Sequence, residues 1–80
     1  MNELLEKEYE ETNMKIAKRI KQLRKNKRMS QTMLAEKSGV SFGTIKRFEK
    51  KGEISLSSLI KLASVLKCEK ELENLFIDYL

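Results

Sequence analysis

The chain has 80 residues, 40% of them hydrophobic and 36% charged, a composition that suits one small globular domain and argues against disorder. No apolar run nears the roughly 20 residues of a membrane helix or has the form of a secretory leader, so a cytoplasmic protein with no membrane partner is expected. A single cysteine, Cys68, and no histidine exclude an internal disulfide and the usual zinc sites, no cofactor is expected, and the net charge of +5 sits in the middle of the chain.

Proline is absent, and apolar residues recur at helical spacing, so every element is expected to be a helix. Residues 1–13 are an acidic N-terminal extension in which 2–11 read as a helix with Leu4, Leu5 and Tyr9 on one side. Asn13 is placed to cap a helix from about Met14 to Lys27, with Ile16, Ile20 and Leu23 inward. Lys15, Lys18, Arg19, Lys21, Arg24 and Lys25 occupy its other faces. Ser30 is a cap for a helix from Gln31 to Lys37 that buries Leu34 and Ala35, and Gly39 ends it. Ser41 caps the next helix, Phe42 to about Lys50, with Ile45 and Phe48 inward, and Gly52 breaks the chain again. Ser55 caps a helix from Leu56 to Leu66 whose apolar positions are Leu56, Leu59, Ile60, Ala63 and Leu66. A last helix, from about Glu69 to Ile77, offers Leu72, Leu75 and Phe76. These elements predict an all-α fold, a compact five-helix bundle over residues 14–80 with an extra helix before it.

Residues 15–52 hold nine Lys and four Arg against Glu36 and Glu49, while the flanking segments are both net acidic. A basic module between acidic ends points to a polyanionic partner, with solvated helix faces as the plain alternative. Within that module lies Gln31 to Lys50, QTMLAEKSGVSFGTIKRFEK, two short helices joined by about three residues centred on Gly39. Crossing two helices steeply over so short a turn needs a small residue where they meet (Ala35), a residue tolerant of positive φ (Gly39) and an apolar wedge (Leu34, Val40, Ile45, Phe48). A helix-turn-helix of this kind lays its second helix in the major groove of DNA.

From about Ile16 to Leu66 the chain resembles the Cro/C1-type (XRE-like) helix-turn-helix family of phage repressors and small bacterial transcriptional regulators. The resemblance rests on IAKRIKQLRKNKRMSQ, LAEKSGVS, TIKRFEKKG and ISLSSLIKLASVL taken together. It implies a lambda-repressor-like DNA-binding domain, with the helix-turn-helix unit at 31–50 and a C-terminal helix within 67–80. It places base-contacting positions at Phe42, Gly43 and Arg47, and phosphate contacts at Gln31, Thr44 and Lys46, while Lys50 serves either as a further phosphate contact or as part of the general positive field. Arg47 can donate bidentately to guanine O6 and N7, Phe42 can pack on a thymine methyl, and Gly43 can only permit close approach. The family more often has polar residues where Phe42 and Gly43 stand, which points to sparse or shape-based base reading. The resemblance further suggests that Arg24 and Glu49 pair as a structural salt bridge that orients the recognition helix.

In the C-terminal segment Leu72, Leu75, Phe76 and Tyr79 serve either the core or a dimer interface. A homodimer matches a palindromic operator on double-stranded DNA, which makes a transcriptional regulator, most often a repressor in this family, the leading expectation. The rival readings are an antitoxin that binds a toxin and autoregulates its operon and the controller of a restriction-modification system, and a toxin or another regulator is the protein partner to expect besides DNA. An enzyme is not expected, because there is no histidine, no glycine-rich phosphate loop and no nucleophile motif.

Overall fold

Helices α1 (Glu3–Asn26), α2 (Gln31–Ser38), α3 (Phe42–Lys51), α4 (Leu56–Val65) and α5 (Glu69–Glu73) follow one another, and a single 3₁₀ turn, Ile77–Tyr79, comes after them. The computed structural model describes the backbone from Glu3 to Leu80 and side chains from Lys7 onward, and among these residues there is no strand. Leu4 and Leu5 lie outside the described side chains.

The acidic helix and the helix expected to start at Asn13 are one continuous α1 of 24 residues. Nothing in the first 26 positions can stop a helix: glycine and proline are absent, and Glu, Lys, Leu and Met dominate. Glu3, Lys7, Glu11 and Lys15 alternate in sign four residues apart, a spacing that supports a helix. Adding residues to a helix already nucleated costs far less than starting one, so the chain passes through Asn13 without using it as a cap. Asn13 instead packs against the glycine that ends α3: a Cβ built on Gly52 would lie 2.8 Å from Asn13 Cβ and 2.9 Å from its carbonyl carbon.

The inward stripe of α1 is also rotated from the expected one. Ala17, Ile20 and Arg24 are buried, Leu23 is half-buried, and Ile16 stays 38% exposed. Small Ala17 lets the helix approach its neighbours, and turning Arg24 inward brings its guanidinium to a partner on α3.

Helices α2, α3 and α4 each begin on a serine whose hydroxyl accepts from the backbone N–H three residues on: Ser30 from Met33, Ser41 from Thr44, Ser55 from Ser58. Each such cap satisfies an orphan N–H and is worth about 1 kcal/mol. Gly39 (φ 76°) and Gly52 (φ 77°) end α2 and α3 in the left-handed conformation. Val40 is buried immediately after Gly39, so the turn from α2 to α3 is anchored by an apolar side chain as well as by its glycine.

The core is Ala17, Ile20, Leu34, Val40, Ile45, Phe48, Leu62 and Leu66, with α3 packed on α1 and α2, and α2 on α4. Its largest fully buried side chains are Phe48, Leu34, Ile45 and Leu62. On α4 and its C-cap the buried positions are Leu62, Ala63 and Leu66, while Leu56 and Ile60, two of the five apolar positions read from the sequence, remain exposed. The last helix also stops short of Ile77, at Glu73. Phe76 then takes a left-handed conformation (φ 62°) at the entry to the 3₁₀ turn, and Leu75, Phe76, Ile77 and Tyr79 are exposed.

Candidate DNA-binding interface

Helix α3 divides sharply into two faces. Ile45, Phe48, Glu49 and the capping Gly52 are buried, at helical spacing, and the opposite positions Phe42, Gly43, Lys46, Arg47 and Lys50 are exposed. The buried side fixes the helix to the core, and the exposed side, with Lys51 in its last turn, carries four cations and not one carboxylate. Gly43 is an ordinary helical residue, and a Cβ built there meets nothing within 4 Å. The fold therefore does not require a glycine at this position, which leaves a notch in the exposed face.

Behind that face lies a buried, hydrogen-bonded ion pair between α1 and α3. Arg24 donates from Nε to Glu49 Oε2 at 2.7 Å and from Nη2 to Glu49 Oε1 at 2.8 Å, a bidentate fork. Its Nη1 donates to the Met29 carbonyl at 2.7 Å, and Gln31 Nε2 donates to Glu49 Oε1 at 3.0 Å. Both charged residues are only 7% exposed. Burial alone would push the Glu49 carboxyl up. The hydrogen bonds from Arg24 and Gln31, with the charges of Arg24 and Lys21, outweigh it and hold this carboxyl below the usual carboxylate range. The hydrogen bonds to Glu49 in turn raise the pKa of Arg24. The cluster thus joins the end of α1, the α1–α2 turn, the start of α2 and the last turn of α3.

Two residues assigned to phosphate by resemblance have partners within the chain. Gln31 gives one amide hydrogen to Glu49, which leaves its second amide hydrogen and its carbonyl for another contact. The half-buried Thr44 places Oγ1 2.7 Å from Ser41 Oγ, so its hydroxyl shares the α3 cap. Lys46 and Lys50 are exposed, and Lys50 lies with Lys51 beside Glu10, Asn13 and Met14 of α1 and Glu53. Arg47 has a partner that reading the sequence did not find: its Nη2 is 3.4 Å from Glu53 Oε1. Glu53 lies six residues beyond Arg47 and past a glycine cap, so no helical spacing links the two.

The residues expected in a dimer interface lie together at the other end of the chain. Leu72 is half-buried, and Leu75, Phe76 and Tyr79 are exposed. Leu72 and Leu75 line a groove with Leu56, Ile60, Ser64, Glu69 and Glu73. Among the described residues no cluster of His, Cys, Asp or Glu is arranged to hold a metal ion, and no helix is long and apolar enough to cross a membrane.

A short helix, a three-residue turn on a left-handed glycine, and a second helix clamped from behind with an exposed cationic face define a helix-turn-helix DNA-binding domain. The helix-turn-helix family model matches residues 20–72, and the chain belongs to the Cro/C1-type helix-turn-helix family of DNA-binding regulators. No curated protein and no solved structure matches the chain significantly.

Proposed function

We propose that this DNA-binding regulator is a repressor that occupies a palindromic operator as a homodimer, with α3 in the major groove. The observation that carries the proposal is the exposed face of α3. Arg47 reads a guanine there, Phe42 and Gly43 sit against neighbouring base edges, and Lys46 and Lys50 hold phosphates, joined by Thr44 and Gln31 through their remaining hydrogen-bonding capacity. Arg24 and Glu49 touch no DNA in this scheme. They fix the angle at which α3 is presented. The exposed Leu75, Phe76 and Tyr79, with half-buried Leu72, supply an apolar surface for the second subunit, and a two-fold dimer reads two half-sites.

Selection of binding sequences from random duplex DNA tests the reading, together with sedimentation of the free protein. A consensus with two-fold symmetry and a dimeric mass are expected. A consensus without symmetry, bound by a monomer, overturns the dimer. The exposed tail face would then be available to a different protein, as in the antitoxin reading. Binding that shows no consensus and vanishes by about 200 mM salt would leave only the electrostatic attraction common to all DNA and would overturn sequence reading itself.

A further inference from the structure

We propose that Glu53 is a specificity-determining residue of this interface, a carboxylate that holds Arg47 for a base edge and keeps it off the phosphate backbone. The proposal rests on the reading of Arg47 as a base-contacting residue. An arginine on a DNA-facing helix has two competing partners. One is guanine, which needs the guanidinium in a particular orientation, and the other is any nearby phosphate, which does not. Sequence reading improves if the second choice is made worse, and a fixed negative charge beside the arginine does this by repelling phosphate.

Glu53 has the position and the rigidity for that role. Its Oε1 lies 3.4 Å from Arg47 Nη2, and both side chains are open to solvent, 63% exposed for Arg47 and 56% for Glu53. The backbone that carries it is held on both sides. Gly52, the left-handed cap before it, is packed against Asn13 of α1, and Ile54 after it packs on the core. Arg47, Glu53 and Thr44 line one shallow depression with Ile54, Ser55 and Ser58, so the carboxylate opens onto the same surface as the residues assigned to DNA. A guanidinium has five N–H donors, and one contact to Glu53 leaves enough for guanine O6 and N7. An acidic residue on a face otherwise built of cations also lowers attraction to DNA of any sequence, the expected cost of a selectivity element.

The test compares wild type, Glu53→Gln, Arg47→Ala and the double variant on two duplexes, the selected consensus and a scrambled duplex of the same composition. Glu53→Gln is expected to tighten binding to the scrambled duplex more than binding to the consensus. The affinity ratio should fall about two- to fivefold, the span that coupling across an exposed ion pair allows. In the Arg47→Ala background the same change should leave the ratio unaltered, because no guanidinium remains to be held. A ratio unchanged by Glu53→Gln in the presence of Arg47, or changed equally in its absence, overturns the proposal while the base-reading role of Arg47 stands. A ratio unchanged by Arg47→Ala alone overturns that role, and the Glu53 proposal with it.

Discussion

Replacing Glu49 by alanine removes the acceptor of three hydrogen bonds at once, the two from Arg24 at 2.7 and 2.8 Å and the one from Gln31 at 3.0 Å. Arg24 is left buried with the Met29 carbonyl as its remaining partner, a neutral group that cannot balance its charge. Breaking a buried pair from one side costs about 3–5 kcal/mol, chiefly from the stranded charge. A domain of this length has a total stability of roughly 4–12 kcal/mol, so this one change removes a large part of it. At 4–8 °C per kcal/mol for a domain of this size, the melting midpoint should fall by roughly 12 °C or more. Urea unfolding followed by circular dichroism measures the loss directly. Glu49→Leu combined with Arg24→Met should recover most of the stability, since an apolar pair leaves no charge buried. That double variant should nevertheless bind DNA more weakly than wild type, because the fork that sets the α3 angle is gone. Acid should act on the same pair. The folded carboxyl lies below its unfolded value of about 4.3, so its contribution is fully present above that pH and is lost as the pH falls through the folded value. In Glu49→Gln this part of the acid sensitivity should disappear. A cost below about 1 kcal/mol for Glu49→Ala would mean that the pair behaves as an exposed one, and would refute the reasoning.

Three further outcomes follow from the same geometry. Gly39→Ala and Gly52→Ala impose the same positive φ on alanine, about 1 kcal/mol of strain, but Gly39 faces open space while Gly52 meets Asn13 at 2.8 Å; denaturation should therefore find Gly52→Ala the costlier by at least about 1 kcal/mol. Gly43→Ala should stabilise the free protein by about 0.5–1 kcal/mol, because a helical glycine is replaced in open space, and a titration against the selected duplex should show weaker binding where DNA occupies that notch. Burial, aided by the carboxylates of Glu69 and Glu71, pushes the Cys68 thiol up, so its alkylation in the folded protein should lag behind that of a free thiol at pH 8 and catch up in denaturant.

The parts of the fold legible in the sequence are those decided over three or four residues. Ser30, Ser41 and Ser55 cap their helices because a hydroxyl reaches a backbone N–H three residues away in almost any tertiary setting. Gly39 ends α2 because the left-handed conformation is a local preference. The start of α1 was not legible, since Asn13 has the chemistry of a cap, yet the chain upstream of it offers nothing that stops a helix. Helical spacing also missed the turn of α1 that buries Ala17 and Arg24 rather than Ile16, because it answers to Glu49, 25 residues away, a pairing that only the resemblance suggested. The apolar count of α4 and the tail suggested more core than exists: a bundle this small closes over Leu62, Ala63 and Leu66, and Leu56, Ile60 and Phe76 stay outside. In the interface, the exposed cationic face of α3 follows from helical period alone. The contacts of Gln31 with Glu49 and of Arg47 with Glu53 cross between elements, and no spacing rule encodes them.

The most direct test of the claim that α3 reads base sequence is the effect of Arg47→Ala on affinity for the selected duplex and for its single-base-pair variants, with Lys46→Ala as the comparison. Arg47→Ala should cost about 1–3 kcal/mol on the selected sequence and abolish the preference at one base pair in each half-site, whereas Lys46→Ala should weaken every duplex alike and reduce the salt slope by about 1. Arg47→Ala weakening all duplexes equally, as Lys46→Ala does, would contradict the claim and leave α3 a helix that binds DNA by charge alone.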